Sequence, residues 1–253
     1  MKKYLLLTFG LAAMTVAMAQ DYKVAKSTGK LVINLSSVTV EGYAGNEIIF
    51  SSENLSKHED DRAKGLRPIN GSGVTDNTGL GIAVTDKGNT VEVSQVNQRD
   101  RRIRIKVPKG VSISYEFERV EAGRANFKNI ESELEVSVQY NSVTLENVTG
   151  PMTIKTIYGG IDAKLGDVLK GPISIASVYG HVDVAVPVAT KANVVLSTSH
   201  GEIFAAADFK IDVEKNNSEM INYSNKVRGK LNGGGLDFSL RADYGKIYLR
   251  KNN

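Results

Sequence analysis

The sequence predicts an all-β chain whose second half is a stack of short β-coils, a β-solenoid, behind an irregular β N-terminal region. Two observations carry this. A unit of strand, corner and strand recurs five times, with corners at Tyr140, Tyr158, Tyr179, His200 and Tyr244. Within each unit apolar and polar residues alternate with period two, the mark of strands with one buried face. Repeats of this length mean stacked units that bury a shared core. No helical periodicity is sustained over three turns after the first 19 residues.

Residues 1–19 read as a secretory signal peptide. Lys2 and Lys3 give the basic start, Leu5 to Val16 the apolar run, and Ala17-Met18-Ala19 the small-x-small cleavage site before Gln20. The apolar run is short for a membrane span. The chain has no Cys, hence no lipid-attachment site and no disulfide. The expected product is exported, to the periplasm, the outer surface or the medium, and is not a lipoprotein. No membrane-crossing segment is expected in the mature chain. The net charge of +4 falls by two when Lys2 and Lys3 are removed. So small a bias, in an exported chain, argues against nucleic acid as a partner.

Residues 20–118 read as a β region continuous with the solenoid but lacking its clean repeat. Lys30 to Leu35, Val38 to Glu41 and Glu47 to Ser51 are short strands. Ile82-Ala83-Val84 and Thr90-Val91-Glu92-Val93 flank Asp86-Lys87-Gly88-Asn89, a hairpin signal. Arg102, Arg104 and Lys106 alternate with Ile103, Ile105 and Val107. Such a basic face could meet an anionic polymer, and the plainer reading is a solvated or edge-protecting strand. Val111 to Glu118 alternates throughout. Residues 56–81, with Lys57-His58-Glu59-Asp60-Asp61-Arg62 and several glycines, form a long loop, a kind that is functional or mobile.

Residues 119–253 are the coils. Six residues before the corners stand Leu134, Met152, Ile173, Val194 and Phe238. Four before stand Val136, Ile154, Ile175, Leu196 and Leu240. Three after stand Val143, Ile161, Val182, Ile203 and Ile247, and five after Leu145, Ala163, Val184, Ala205 and Leu249. Asn141, Gly159, Gly180, Gly201 and Gly245 follow the corners directly. These residue types tolerate a left-handed backbone, so the expectation is a sharp bend of that kind. Stacking about 4.8 Å apart would line the corners into an aromatic ladder that sets the register of the coils. The last two corners are 44 residues apart, and no degenerate copy fits between them. Residues 206–232 are expected to be irregular or an interrupted coil.

The coils with Tyr-Gly-Gly-Ile-Asp at 158–162 and Tyr-Gly-His-Val-Asp-Val at 179–184 carry a resemblance. So do the ending Leu231-Asn232-Gly233-Gly234-Gly235 before Tyr244-Gly245-Lys246-Ile247, the signal peptide and the irregular first half. Together they resemble the secreted "putative adhesin" domain of unknown function, common in bacteria. The resemblance covers most of the mature chain, and its motifs mark coil corners rather than a site. It implies a single-stranded right-handed parallel β-solenoid in the cell envelope, a hand in keeping with parallel crossovers generally. It supplies no catalytic residues. Similar solenoid domains accompany envelope-stress systems.

Chemistry is sparse. There is no Gly-x-Ser-x-Gly elbow, no phosphate-binding Gly motif opening a helix and no zinc-type spacing among the three His. No cofactor or resident metal is expected. One constellation stands out. Asp162 and Asp183 share the slot four after the corner, while His181 and Glu202 share the slot two after. Stacked, they would place carboxylates and an imidazole on one surface. The sharp readings are a calcium site for a glycan or the carboxylate pair of a sugar-cleaving enzyme. The plainer reading is a solvated strand face. Phe204 and Tyr248 occupy the same row and could extend a sugar-stacking platform. Three functions follow in order. First is a non-catalytic envelope protein that binds a surface glycan or protein along the solenoid face. Second is a structural or signalling module with a membrane-protein partner. Third is a polysaccharide-acting enzyme using Asp162, Asp183 and Glu202.

Overall fold

The computed structural model describes residues 21–52, 62, 66, 73–96, 102–214 and 225–252. The signal peptide expected at 1–19, His58 with most of the 56–81 loop, and residues 215–224 of the stretch after the fourth corner lie outside the described residues.

Two largely parallel sheets face each other across one core, and the chain alternates between them. The strands leading into a corner form an inbound sheet: β2 (Thr28–Asn34), β6 (Thr90–Gln95), β8 (Gly110–Phe117), β10 (Leu134–Val138), β12 (Met152–Thr156), β14 (Ile173–Ser177), β16 (Ala192–Thr198) and β20 (Leu236–Ala242). The strands leading away form an outbound sheet: β3 (Val38–Tyr43), β7 (Ile103–Pro108), β9 (Arg124–Lys128), β11 (Ser142–Val148), β13 (Ile161–Leu165), β15 (Val182–Val186), β17 (Ile203–Ala205) and β21 (Ile247–Lys251). The described residues thus make eight coils, each one inbound and one outbound strand. This is an all-β solenoid.

The apolar slots of the repeat pair coil to coil. Leu134 sits beside Met152 and Ile113, Met152 beside Ile173, and Ile173 beside Phe238. The same slots run on into the first half. Leu31, Val91 and Ile113 stand in one row, and Val38, Ile103 and Ala125 in another, all buried. Alternation is what makes this work. In β10, β12 and β13 every second side chain is buried and every other exposed, so each strand feeds the core on one side only.

The coils do not stack in chain order. Along the inbound sheet the order runs β6, β2, β8, β10, β12, β14, β20, β16. The last coil of the chain therefore slots between the third and fourth regular coils, with β20 parallel to both β14 and β16. The ladder at the corners reads Tyr140, Tyr158, Tyr179, Tyr244, His200 rather than following the chain. At the other end the first coil, β2 and β3, likewise lies inside the later β6 and β7. Each terminal coil gains a parallel neighbour on both sides. Antiparallel strands cover three of the four outer edges, and β17 is left as an edge of the outbound sheet. On one end β5 (Ile82–Asp86) covers β6, and β4 (Glu47–Ser52) with β1 (Tyr22–Ala25) covers β7. On the other, β19 (Asn225–Leu231) and β18 (Ile211–Val213) cover β16. The described parts of 206–232 are thus a cap, not a coil. Strand β7, with its basic residues, lies between β4 and β3 and is no edge strand.

The corner glycines serve a different purpose from the one expected. Gly159, Gly180, Gly201 and Gly245 are absent from the residues with positive φ, as is Asn141. Glycine is required because the coils touch there. A Cβ on Gly159 would run into the carbonyl oxygen of Asn141, one on Gly180 into Gly159, one on Gly245 into Gly180 and one on Gly201 into Gly245. A buried hydroxyl two residues before the corner, Thr156, Ser177 or Thr198, closes three of these clips, and Ala242 takes that slot in the fourth. Ser177 Oγ donates to Gly159 O at 2.9 Å and accepts from Gly180 N at 2.8 Å, and Thr156 Oγ1 accepts from Gly159 N at 3.1 Å. Asn141 replaces glycine where the corner of the preceding coil, 118–123, swings outward. Its fully buried Nδ2 fills the gap, donating to Ser36 O and Tyr115 Oη at 2.7 Å each. Burial pushes the Tyr115 hydroxyl pKa far up, so it stays a neutral donor, to Leu35 O at 2.8 Å.

Candidate functional site

Three surface features come from this architecture: the corner ladder, the carboxylates of the outbound face, and a groove across the inbound face.

The corner rings stack face to face, with centroids 4.9, 5.1, 5.0 and 4.9 Å apart and planes within 17° of parallel. The strand spacing of a sheet sets this interval. Tyr158, Tyr179 and Tyr244 are about half exposed, at 53, 53 and 54%. What faces solvent is a row of ring edges and hydroxyls, because the faces between successive rings are covered by the rings themselves. A sugar cannot stack along the ladder. Phe204 and Tyr248 behave alike, stacked at 5.5 Å with Lys246 over Phe204 and Arg250 over Tyr248. They line a shallow hollow of about 350 Å³ with Ala206 and Lys251.

Asp162 and Asp183 do lie side by side on β13 and β15. Each has a cationic or imidazole partner. His181 Nε2 lies 3.0 Å from Asp162 Oδ1, and Arg250 Nε donates to both Asp183 oxygens at 2.7 and 2.9 Å. Glu202 does not join them. The inserted coil puts Lys246 between the positions of His181 and Glu202, and Lys246 Nζ holds Glu202 at 2.9 Å. The carboxylate partners hold the Arg250 and Lys246 pKa values above their ordinary range. Among the described residues no group of three His, Cys, Asp or Glu is placed to hold a metal ion. The contiguous cluster of four expected from chain order is therefore split in two. The reason is topological, since equivalent slots are neighbours only if their coils are.

The inbound face differs. A groove of about 420 Å³ runs beside the corners across five coils, from Glu118 after β8 past Gln139, Ile157 and Val178 to Asp243 after β20. Lys155 and Arg241 stand along it. Asp243 Oδ1 accepts from Arg241 Nε at 2.7 Å and holds the guanidinium pKa above its ordinary value. In register with these, Lys226 of β19 continues the same row beyond Ser197 of β16. From β12 to β19 the row reads Lys155, Ala176, Arg241, Ser197, Lys226, and the row beside it Thr153, Ser174, Ser239, Val195, Arg228. Neither row holds an acid. Lys155, Lys226 and Arg228 have no ion-pair partner among the described residues. Period-two patterning exposes these residues one strand at a time; the row forms only once β20 is known to lie between β14 and β16.

The fold and the groove define the class: an all-β solenoid with a long, nearly continuous side face. No helix among the described residues is long and apolar enough to cross a membrane. No family model and no curated protein matches the chain. Two solved structures are similar in outline. A "putative cell adhesion protein" from Clostridium sporogenes is 12% identical, covering 92% of this chain and 100% of its own, with a TM-score of 0.46. A "putative adhesin" from Bacteroides fragilis is 11% identical, covering 92% and 96%, with a TM-score of 0.31.

Proposed function

We propose that this chain is a non-catalytic, exported surface protein of adhesin type that binds a glycan or protein ligand along one side of the solenoid. The observation that carries the reading is the groove, which crosses five coils on a continuous sheet and so offers an elongated ligand a long, rigid seat. The outbound carboxylates support the non-catalytic part. A general acid or nucleophile must be free to reach substrate, whereas Asp183 is clamped through both oxygens by Arg250 and Glu202 is held by Lys246. The secretory leader read from residues 1–19 supports the location.

The test is a binding screen of the purified mature protein against cell-envelope polysaccharides, host glycans and envelope proteins, with calcium and with chelator. A panel of polysaccharides is assayed for turnover alongside. Binding without turnover, unchanged in the Asp162→Ala/Asp183→Ala double variant, is the expected result. Turnover lost in Asp183→Ala with the fold intact would overturn the non-catalytic reading. Absence of binding to every component would overturn the adhesin reading.

A further inference from the structure

Resting on that reading, we propose that the inbound groove and the row Lys155, Arg241, Lys226 bind an extended linear polysaccharide carrying one anionic group per disaccharide.

The spacing of charge comes first. Lys155 is on β12, Arg241 on β20 and Lys226 on β19, each two strands from the next. Two strand spacings are roughly 10 Å, close to the length of an extended disaccharide. Chain direction fits as well. The row and groove run across the strands, along the solenoid axis. From Glu118 to Asp243 the groove crosses four strand spacings, roughly 19 Å, room for about two such repeats.

The lining fits a sugar chain rather than another polyanion. Between the cations lie Ala176 and Ser197, the row beside them holds Thr153, Ser174 and Ser239, and Ser137 and Gln139 line the groove, small hydroxyl and amide groups suited to sugar hydroxyls. Asp243 fixes Arg241 through Nε alone, and no other partner of the guanidinium is present among the described residues. The rest of its donor fork is available to a carboxylate or sulfate. Single-stranded nucleic acid needs exposed aromatic faces for its bases, and the corner rings cover each other's. A membrane surface calls for a protruding basic face, whereas Lys155 and Arg241 border a concavity. Acids mark where the chain ends: Glu116 lies at the β8 end of the Lys155 row, Glu135 ends the row beside it, and Glu118 stands at that end of the groove. At the other end Glu214, whose amide nitrogen donates to Arg228 O at 2.8 Å, closes the neighbouring row, and Asp237 and Asp212 lie two rows away beside Lys230.

The experiment titrates the purified mature protein with hyaluronan, which has one carboxylate per disaccharide, and with neutral dextran, phosphatidylglycerol vesicles and single-stranded DNA. Hyaluronan should bind alone of the four, more weakly as salt is raised. Lys155→Gln/Arg241→Gln/Lys226→Gln should weaken it by at least about tenfold while lowering Tm no more than slightly, through loss of the Arg241–Asp243 pair. Lys164→Gln on the outbound face should leave it unchanged. Glutamine keeps the side chains long and polar, so a folding failure is separated by Tm and circular dichroism. Equal binding of DNA or vesicles, or hyaluronan binding indifferent to the triple variant, overturns the proposal. So does a failure to bind hyaluronan by a protein that binds another component of the functional screen, a result that leaves the adhesin reading standing.

Discussion

The two outer faces of this solenoid handle charge in opposite ways. On the outbound face cations and anions on neighbouring coils close on each other: Lys128 with Glu146, His181 with Asp162, Arg250 with Asp183, Lys246 with Glu202. On the inbound face the charges are sorted by sign along the rows, with Glu116 and Glu135 toward one end and Lys155, Arg241, Lys226 and Arg228 toward the other, and only Glu135, held by Lys30, and Arg241, held by Asp243, are paired among these. Both faces stand on the same core and corners. Stacking in register brings like residues together automatically, so a face stays neutral only if its sequence alternates from coil to coil. Sorting by sign leaves a field that the protein itself cancels only in part. The difference separates a face that serves stability from one free to serve a ligand.

The most severe way to break the comparison is to break the corner both faces share. Gly180→Val puts a branched side chain against the Gly159 carbonyl and should cost more than about 3 kcal/mol in chemical denaturation. A loss under about 1 kcal/mol would mean that the coils can part at the corner. Next is the ladder. Tyr179→Ala removes a ring stacked on both sides and should cost about 1–2 kcal/mol while leaving hyaluronan affinity unchanged. A large loss of affinity would place ligand on the ring edges.

A smaller effect sharpens the contrast directly. Arg250→Ala leaves Asp183 beside Asp162 with its clamp gone, and should lower Tm slightly, an effect that high salt removes. Lys155→Ala should leave Tm unchanged, having no partner to lose. Equal shifts for the two would erase the distinction between the faces. The smallest effect is a pH dependence. Glu131 accepts from Lys109 on the neighbouring turn before β8 and from Lys170, which reaches across the Thr149 turn from the coil beyond, and these hydrogen bonds hold its carboxyl down at about 2. A depressed carboxyl contributes stability above its unfolded value, near pH 4–5, and loses it as pH falls toward about 2. Glu131→Gln should therefore slightly lower Tm at neutral pH and flatten its fall across that window.

Much of the fold was legible from slots that must be apolar. The coils from Leu134 onward share one spacing, six residues between Val136 and Val143 and again between Ile154 and Ile161. The first half uses the same slots with other corner lengths, four residues between Ile33 and Val38 and nine between Tyr115 and Ala125. A fixed template misses such coils although the strands obey it. Neighbour order was illegible for a physical reason. Every coil presents equivalent apolar slots, so the pattern says what a coil can pair with and not which coil it meets. Here β19 occupies the outer edge of β16, and the final coil takes the inner one. That single fact dissolves the Glu202 part of the carboxylate cluster and assembles the Lys155–Arg241–Lys226 row.

The inward seating of both terminal coils has a further consequence, for how the molecule is finished. In a stack built in chain order, losing the last segment removes one end layer and leaves a shorter rod. Here, losing the residues after Asn225 would remove an interior layer, since β14 and β16 meet only through β20. The fourth regular coil cannot take its final place until the last stretch of chain has arrived. A truncated product is thus left with a gap in its middle rather than a tidy end.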